Sequence, residues 1–366
     1  MSFVYPQTRR TALAKFAALL AGAGAGASTA GSQPAKQQLV PLADMHTHLG
    51  RKTRANLPLD LAEEMKANNV LLAAWAYSTD HAYIEARPDG HHQKSEPDAT
   101  KIWVAMRNEL RTSTQYAKSA GLGVVLTAKD VDRAVSGLPS VVIAAEGTDF
   151  MQGRMGLLDE VYDGGLRHLQ LVHYTLNAVG DIQTEAPRHG GLSDFGRELV
   201  RKAQAKGMLV DLAHSTEAAV GHALAVASKP MVWSHGWVDE SPGAYDDRVG
   251  WLRRRLSLAT ARKIADAGGV VGIWGLGLKK PNRQWPVGRD DPQGYAKVIR
   301  SLINQLGVDH VAIGTDLSGV GDSGSVNSYA DVRRVVQALQ SSGLDEAAVA
   351  KVSYQNYARV LRASLA

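Results

Sequence analysis

The stretch Leu42-Ala43-Asp44-Met45-His46-Thr47-His48-Leu49-Gly50 decides the fold. An apolar lead (Leu39, Val40, Leu42) runs into two histidines two positions apart, and Gly50 ends the run. Read as a strand, positions 46 and 48 share one face, so two imidazoles converge at its C-terminal end. Neutral imidazole is the commonest metal ligand, and two on one rigid strand bind a cation without ordering a loop. Twelve histidines in 366 residues produce about 0.4 such pairs by chance, so the pair takes its meaning from the rest of the chain.

The rest of the chain repeats one pattern. Eight apolar, strand-like runs can be counted: Leu39–His48, Val70–Ser78, Ser140–Glu146, Gly165–His173, Gly207–His214, Pro230–His235, Gly269–Gly275 and His310–Asp316. Helical patterns fall between them at Asp60–Ala67, Thr100–Ala120, Gly153–Tyr162, Ser193–Lys206, Thr216–Ala227, Ser257–Ala267, Gly294–Leu306 and Ser328–Ser341. Ser193, Ser215-Thr216 and Ser257 sit where N-caps belong, and Gly207 and Gly268 where helices end. Alternating strands and helices predict a parallel sheet, and eight repeats predict an α/β fold closed as a (β/α)8 barrel of the TIM type. A single domain over residues 31–366 is expected, with one long insertion at about 79–138 placed to cap the barrel mouth. The stretch Leu344–Leu365 reads as an amphipathic helix that closes the barrel.

In such barrels the chemistry lies at the C-terminal ends of the strands. Six runs end in a ligand or proton carrier: His46/His48, Glu146, His173, His214, His235 and Asp316. The runs ending near Ser78 and Gly275 do not. Alternation puts Glu146 with Val142 and Ala144, His173 with Leu169 and Leu171, His214 with Val210 and Leu212, and His235 with Met231 and Trp233. His168 has the opposite parity and is expected to face the helices. His81, His91, His92, His189, His222 and His310 read as solvated. Asp44 shares the parity of His46, and Asp211 precedes His214; each is a candidate acceptor for an imidazole. Of Arg253-Arg254-Arg255, one side chain at a barrel mouth can hold a carboxylate. Trp233, Trp237, Trp251, Trp274 and Trp285 are candidates for a pocket wall or the core. The chain has no Gly-x-Ser-x-Gly elbow, His-Glu-x-x-His helix or Gly-Lys-Ser/Thr phosphate loop. The Gly-rich runs Gly275-Leu276-Gly277 and Gly319 to Gly324 lack dinucleotide spacing.

Composition narrows the chemistry further. The chain is 45% hydrophobic and 21% charged, the profile of an ordinary globular protein. Cysteine is absent, which excludes disulfides, thiolate zinc sites and a Cys nucleophile, so any metal sits on His and carboxylates. The net charge of +5 owes much to residues 1–30, which carry Arg9, Arg10 and Lys15 and no acid; without them it is +2. That removes most of the case for nucleic acid. Thr8-Arg9-Arg10-Thr11, the Ala/Leu/Gly-rich stretch Phe16 to Ala27, and small residues up to Ala30 resemble a Tat export signal. Its apolar part is too short and Gly-rich for a stable membrane span. A periplasmic or extracellular location is expected.

The motifs taken together resemble the membrane dipeptidase (renal dipeptidase) family of the amidohydrolase superfamily, from about Leu42 to the C-terminus. Asp44-Met45-His46-Thr47-His48, Ala145-Glu146-Gly147, Leu171-Val172-His173-Tyr174-Thr175-Leu176-Asn177, Val210-Asp211-Leu212-Ala213-His214 and Trp233-Ser234-His235 carry the likeness in order and spacing. The resemblance implies two zinc ions, one held by His46 and position 48, the other by His214 and His235, with Glu146 bridging. It implies that His173 contacts the substrate, that Asp316 is the proton carrier, and that an arginine takes the substrate carboxylate. That arginine falls best on Arg254, with Arg248 the alternative. Where the family has Asp, this chain has His48, which adds one unit of positive charge. Family members are often dimers, so a homodimer is an assembly the resemblance allows.

The expected reaction is hydrolysis of a dipeptide. A water between two divalent ions falls from a pKa of 15.7 to about 7, and Asp316 carries its proton to the leaving amine. A second reading keeps the barrel and metals but acts on an N-acyl amino acid, a lactone or another small amide. A third makes the protein a binder on a decayed barrel, which requires lost ligands; every expected position carries a coordinating residue.

Overall fold

The computed structural model describes residues 39–51, 59–88, 90–239, 253–275, 291–320 and 324–366. The export signal, Arg248, Trp251, Trp285 and parts of both Gly-rich runs lie outside them. Eight parallel strands follow one another round a sheet: β1 Leu42–Thr47, β2 Val70–Ser78, β3 Ser140–Glu146, β4 His168–Gln170, β5 Leu209–Asp211, β6 Val232–Trp233, β7 Val270–Ile273 and β8 Val311–Ile313. A ninth short strand, Gly123–Val124, pairs with the start of β3. All eight expected runs are present, most of them shortened at the C-terminal end.

Between β8 and β1 the ring is stitched by the turns beyond the strands. Thr47 bridges to Leu317. The His48 N–H donates to the Leu317 carbonyl and the Asp316 N–H to the His46 carbonyl, both at 2.9 Å. The Asp44 carboxylate adds a side-chain seam, accepting from the Thr315 N–H at 2.9 Å and its hydroxyl at 2.6 Å.

Each strand is followed by an outer helix, and the expected caps are in place. Ser193 accepts from the Gly196 N–H, Thr216 from Ala219 and Ser257 from Thr260. Gly207 and Gly268 adopt φ of 81° and 77° just past helix ends. The strands alternate between two cores. Outward residues such as Val141, Ile143, Leu169, Val210, Met231 and Val271 pack on the helices. Inward residues are mostly small (Ala43, Ala74, Ala76, Ala144, Ala312), and Met45, Leu72, Val142 and Leu209 fill the remaining space with Tyr357 and Leu361.

Tyr357 and Leu361 belong to the C-terminal segment, a helix from Glu346 to Leu365 interrupted by one wide turn at Lys351–Gln355. It closes the barrel at the end away from the chemistry. The Asn356 amide donates to the carbonyls of Val308 and Val311, at the entry to β8.

The 79–138 insertion does not act as one cap. Its helix Ala99–Ser119 is the outer helix following β2, tied to Asp60 through the Tyr116 hydroxyl at 2.6 Å. A further helix, Ala128–Val135, is absent from the expected set and packs on the C-terminal helix. The insertion's described residues 79–88 and 90–93 reach the mouth, where Ile84–Arg87 and Gly90–Gln93 form a hairpin, while Glu109, Ser113 and Tyr116 line a neighbouring pocket with His48 and His81.

Candidate metal centre

Five side chains close on one point. The Nε2 atoms of His46 and His48 stand 3.1 Å apart, and those of His214 and His235 also 3.1 Å apart. Glu146 lies between the pairs. Its Oε1 is 3.4, 3.3 and 3.5 Å from Nε2 of His46, His214 and His235, and its Oε2 is 3.3 Å from Nε2 of His48. The result is two groups sharing one carboxylate, His46/His48/Glu146 and Glu146/His214/His235. A third grouping of compatible geometry, His46/Asp211/His235, overlaps both.

Local backbone geometry brings them there, and it corrects the expected parity. In β1 the register with β2 shifts between Asp44 and Thr47. Both residues therefore turn outward toward Tyr329, Met45 points into the barrel, and His46 and His48 reach the mouth. Asp44 does not share the face of His46. Glu146 follows the inward alternation of Val142 and Ala144 as expected.

His173, His214 and His235 do not follow theirs. Leu169, Leu171, Val210, Leu212, Met231 and Trp233 all lie in the outer core. The three histidines come from turns beyond strands that end at Gln170, Asp211 and Trp233. His214 takes a left-handed φ of 67° and Asp316 one of 54°, conformations costly enough outside glycine to mark a functional constraint. The turn carrying His235 bends inward over two glycines. A Cβ on Gly272 would lie 2.0 Å from the Ser234 carbonyl oxygen, and one on Gly314 1.8 Å, so no other residue leaves room for it.

His168 faces inward, opposite Ala144 of β3. Its Nε2 lies 3.1 Å from Asp211 and its Nδ1 3.2 Å from the Tyr357 hydroxyl. Asp211 therefore orients no metal-facing imidazole. It holds the two turns that carry His214 and His235, accepting from the N–H groups of Ala213 and Ser234 at 3.0 Å each. Asp44 does the same for the first turn through the His46 N–H.

The donor set fits a divalent cation. His48 Nδ1 lies 3.1 Å from the Ala76 carbonyl, which only accepts, so Nδ1 carries a hydrogen and Nε2 is the nitrogen that faces inward. Burial, followed by the Arg254 guanidinium, pushes His214 well below the usual imidazole range. Burial, His46 and Arg254 do the same to His235. Burial pulls Glu146 upward, but the surrounding imidazoles outweigh it and hold this carboxyl well below its ordinary value. Burial lowers His46 too, but Glu146 and Asp316 outweigh it and raise its pKa, so a bound cation would take the place of that proton. Ring nitrogens paired at 3.1 Å on either side of one carboxylate form two groups that could each hold a cation.

Around this centre stand the groups that can act on a substrate. Asp316 is buried, its Oδ1 has no hydrogen-bond partner among the described residues, and it lies 3.5 Å from His48 Nε2 and 4.0 Å from His46 Nε2. Burial raises its pKa against the pull of His48 and His46. His173 Nε2 is 3.3 Å from Glu146 Oε2. Burial lowers the pKa of His173, but Asp80 and Glu146 reverse this and lift it to about 9. Arg254 is buried against Trp274 and Tyr174, with Nε on Gln183 and Nη1 on the Tyr174 hydroxyl. Its Nη2 has no partner among the described residues. Its neighbours point elsewhere, Arg253 to the Thr184 carbonyl and Arg255 toward Asp239.

Several residues of the site carry little signal in the sequence. Asp80 lies two positions past β2, a run whose last residue, Ser78, offers no ligand, and it accepts from His173 at 2.7 Å. His81 and His91 pack edge-on against His173 and Tyr174 and line the mouth. His92 is buried against Glu185, and His222 and His310 are half-buried with bonds to backbone, whereas His189 is exposed as expected. Among the described residues Trp274 packs on His235 at the centre, while Trp233 belongs to the outer core.

Comparison with known proteins agrees with this geometry. Residues 40–365 match the profile of the family described as membrane dipeptidase (peptidase family M19). An uncharacterized protein in the pqqA 5' region of Klebsiella pneumoniae is 28% identical over 257 residues, covering 67% of this chain and 90% of that one. The dipeptidase tcpJ of Claviceps purpurea is 29% identical over 235 residues, 62% of this chain and 51% of its own, so the match spans about half of that relative. The fold is that of a metallopeptidase from Rhodobacter sphaeroides, solved with a phosphinate mimic of the dipeptide L-Ala-D-Ala. The TM-score is 0.72 at 19% identity, with 89% of this chain and all of that one covered. With a family profile matched along the whole barrel and two His-His-Glu groups at its mouth, the chain belongs to the membrane dipeptidase family of metallopeptidases, M19.

Proposed function

We propose that this protein is a dipeptidase that works with two zinc ions, one on His46, His48 and Glu146, the other on Glu146, His214 and His235. The observation that carries the reading is the pair of His-His-Glu groups sharing Glu146, with an unpartnered acid and an unpartnered guanidinium nitrogen beside them. When bound there, such ions would supply Lewis acidity for a scissile carbonyl and a water whose pKa falls from 15.7 to about 7.

The chain's own groups do the rest. Arg254 Nη2 takes the substrate's C-terminal carboxylate, its plane held by Trp274, Tyr174 and Gln183. His173 hydrogen-bonds the carbonyl oxygen through Nε2 as negative charge develops there. Asp316 Oδ1 accepts the proton of the attacking water and returns it to the leaving amine. The test is a substrate panel on the metal-replete protein: dipeptides against N-acyl amino acids, lactones and small amides. An N-acyl amino acid offers Arg254 the same carboxylate, so preferred turnover there would move the substrate class and keep the centre. Turnover of none of them would overturn the reading.

Export through a Tat-type leader at residues 1–30, with the metals loaded before export, belongs to the same proposal. Fractionation of cells expressing the full chain, with and without Arg9→Lys and Arg10→Lys, tests it.

A further inference from the structure

The turn after β2 carries a carboxylate that the reaction above leaves unused. Asp80 is fully buried. Its Oδ1 is 2.7 Å from His173 Nδ1, while Oδ2 accepts from the Tyr174 N–H at 3.2 Å and lies 3.3 Å from the Thr175 hydroxyl. That hydroxyl sits closer to Asp149 Oδ1, at 2.5 Å. On the other side of the ring, His173 Nε2 faces Glu146 and the mouth pocket shared with His48, Tyr174 and Asp316. A carboxylate can only accept, so the Nδ1 of His173 carries a hydrogen and Nε2 is the nitrogen left for the pocket.

We propose that Asp80 is a positioning residue: by accepting the Nδ1 hydrogen it fixes the rotation of His173, so that Nε2–H is the group presented to the reacting carbonyl. The proposal rests on the dipeptidase reading for its consequence in rate, but not for its geometry. The two anchors of Asp80 lie on either side of the carboxylate, one on a ring nitrogen and one on a backbone N–H. Replacing one carboxylate oxygen by an amide nitrogen therefore cannot satisfy both. The Tyr174 N–H needs an acceptor, so the amide oxygen of an Asp80→Asn variant settles there and its NH2 turns to His173. Nδ1 then gives up its hydrogen and accepts from a neutral amide, so the ring loses the charge-assisted bond that held its rotation and Nε2 loses its fixed place.

The experiment uses the metal-replete, full-length protein labelled with 15N-histidine, with His173 signals assigned by difference from His173→Gln. In the wild type, long-range 1H–15N spectra should show hydrogen on His173 Nδ1; in Asp80→Asn it should be gone. Dipeptide turnover by Asp80→Asn should fall about 10–100-fold in kcat, with KM changed less and metal content unchanged. A wild-type His173 lacking hydrogen on Nδ1 overturns the proposal. So does an Asp80→Asn variant whose rate falls while Nδ1 keeps its hydrogen, because that outcome makes Asp80 structural only. Should Asp80→Asn fail to fold, the wild-type spectrum alone decides. A wild type that turns over no dipeptide sinks the functional reading, yet the nitrogen pattern, read without substrate, still tests Asp80.

Discussion

Asp44 and Thr315, 271 positions apart, join the first and last strands of the barrel through a 2.6 Å hydrogen bond between carboxylate and hydroxyl. The same carboxylate takes the N–H groups of Thr315 and His46 and the Tyr329 hydroxyl. One buried acid therefore closes the ring and fixes the turns that carry His46 and Asp316.

Asp44→Ala strands these buried donors. Each donor left without an acceptor costs about 1–3 kcal/mol, so the variant should lose roughly 3 kcal/mol or more in urea unfolding. Its metal content should fall as well. An Asp44→Ala protein as stable as the wild type would remove Asp44 from the seam.

A second buried acid gives a pH signature. Burial, reinforced by the neighbouring Asp80 carboxylate, lifts the pKa of Asp149 to about 7 from an ordinary 3.8. The folded chain then holds this proton more tightly than the unfolded one. As pH rises from about 4 to 7 the unfolded state releases it first, so this residue's contribution to stability falls across that window and is level above it. The size is on the order of a few kcal/mol. Urea unfolding of Asp149→Asn against wild type from pH 4 to 8 should show the difference growing in the variant's favour up to pH 7. A difference independent of pH would contradict the shift.

Position 48 discriminates ligand from spectator. His48→Ala should bind one ion where the wild type binds two, whereas His48→Asp, which restores a donor at that point, should keep both. Elemental analysis after dialysis reads the outcome. Two ions in His48→Ala would take His48 out of the centre.

Arg254 is tested by separating charge from shape. Arg254→Lys keeps a cation but loses the fork that Gln183 and the Tyr174 hydroxyl hold in place. A charge-assisted hydrogen bond contributes about 1.5–3 kcal/mol, so KM for a dipeptide should rise roughly 10–100-fold with a smaller change in kcat. For the matching dipeptide amide, wild type and variant should be alike. Equal KM values for the free acid would mean that the carboxylate binds elsewhere.

Most of the barrel is legible in the sequence because strand and helix periods differ and every outer helix follows an apolar run. The capped starts at Ser193, Thr216 and Ser257 fix helix positions to within a residue or two. The centre is legible for a different reason than alternation. Counting two residues at a time puts His214 and His235 on strands that in fact end three and two residues before them. They reach the site through a left-handed residue at 214 and a turn packed over Gly272 and Gly314. A period of two cannot show such turns. Asp80 is illegible because its partner is 93 positions away and its own strand ends in serine. The shift in β1 that turns Asp44 outward is likewise set by pairing with β2, which the run 42–50 alone does not contain.

The most direct test is metal stoichiometry of the purified wild type beside His214→Ala. With Glu146 shared between two His-His pairs, the wild type should hold two divalent ions per chain, and His214→Ala should lose at least one together with nearly all turnover. A wild type that binds no divalent ion, or a His214→Ala protein with full metal and full activity, would contradict the account.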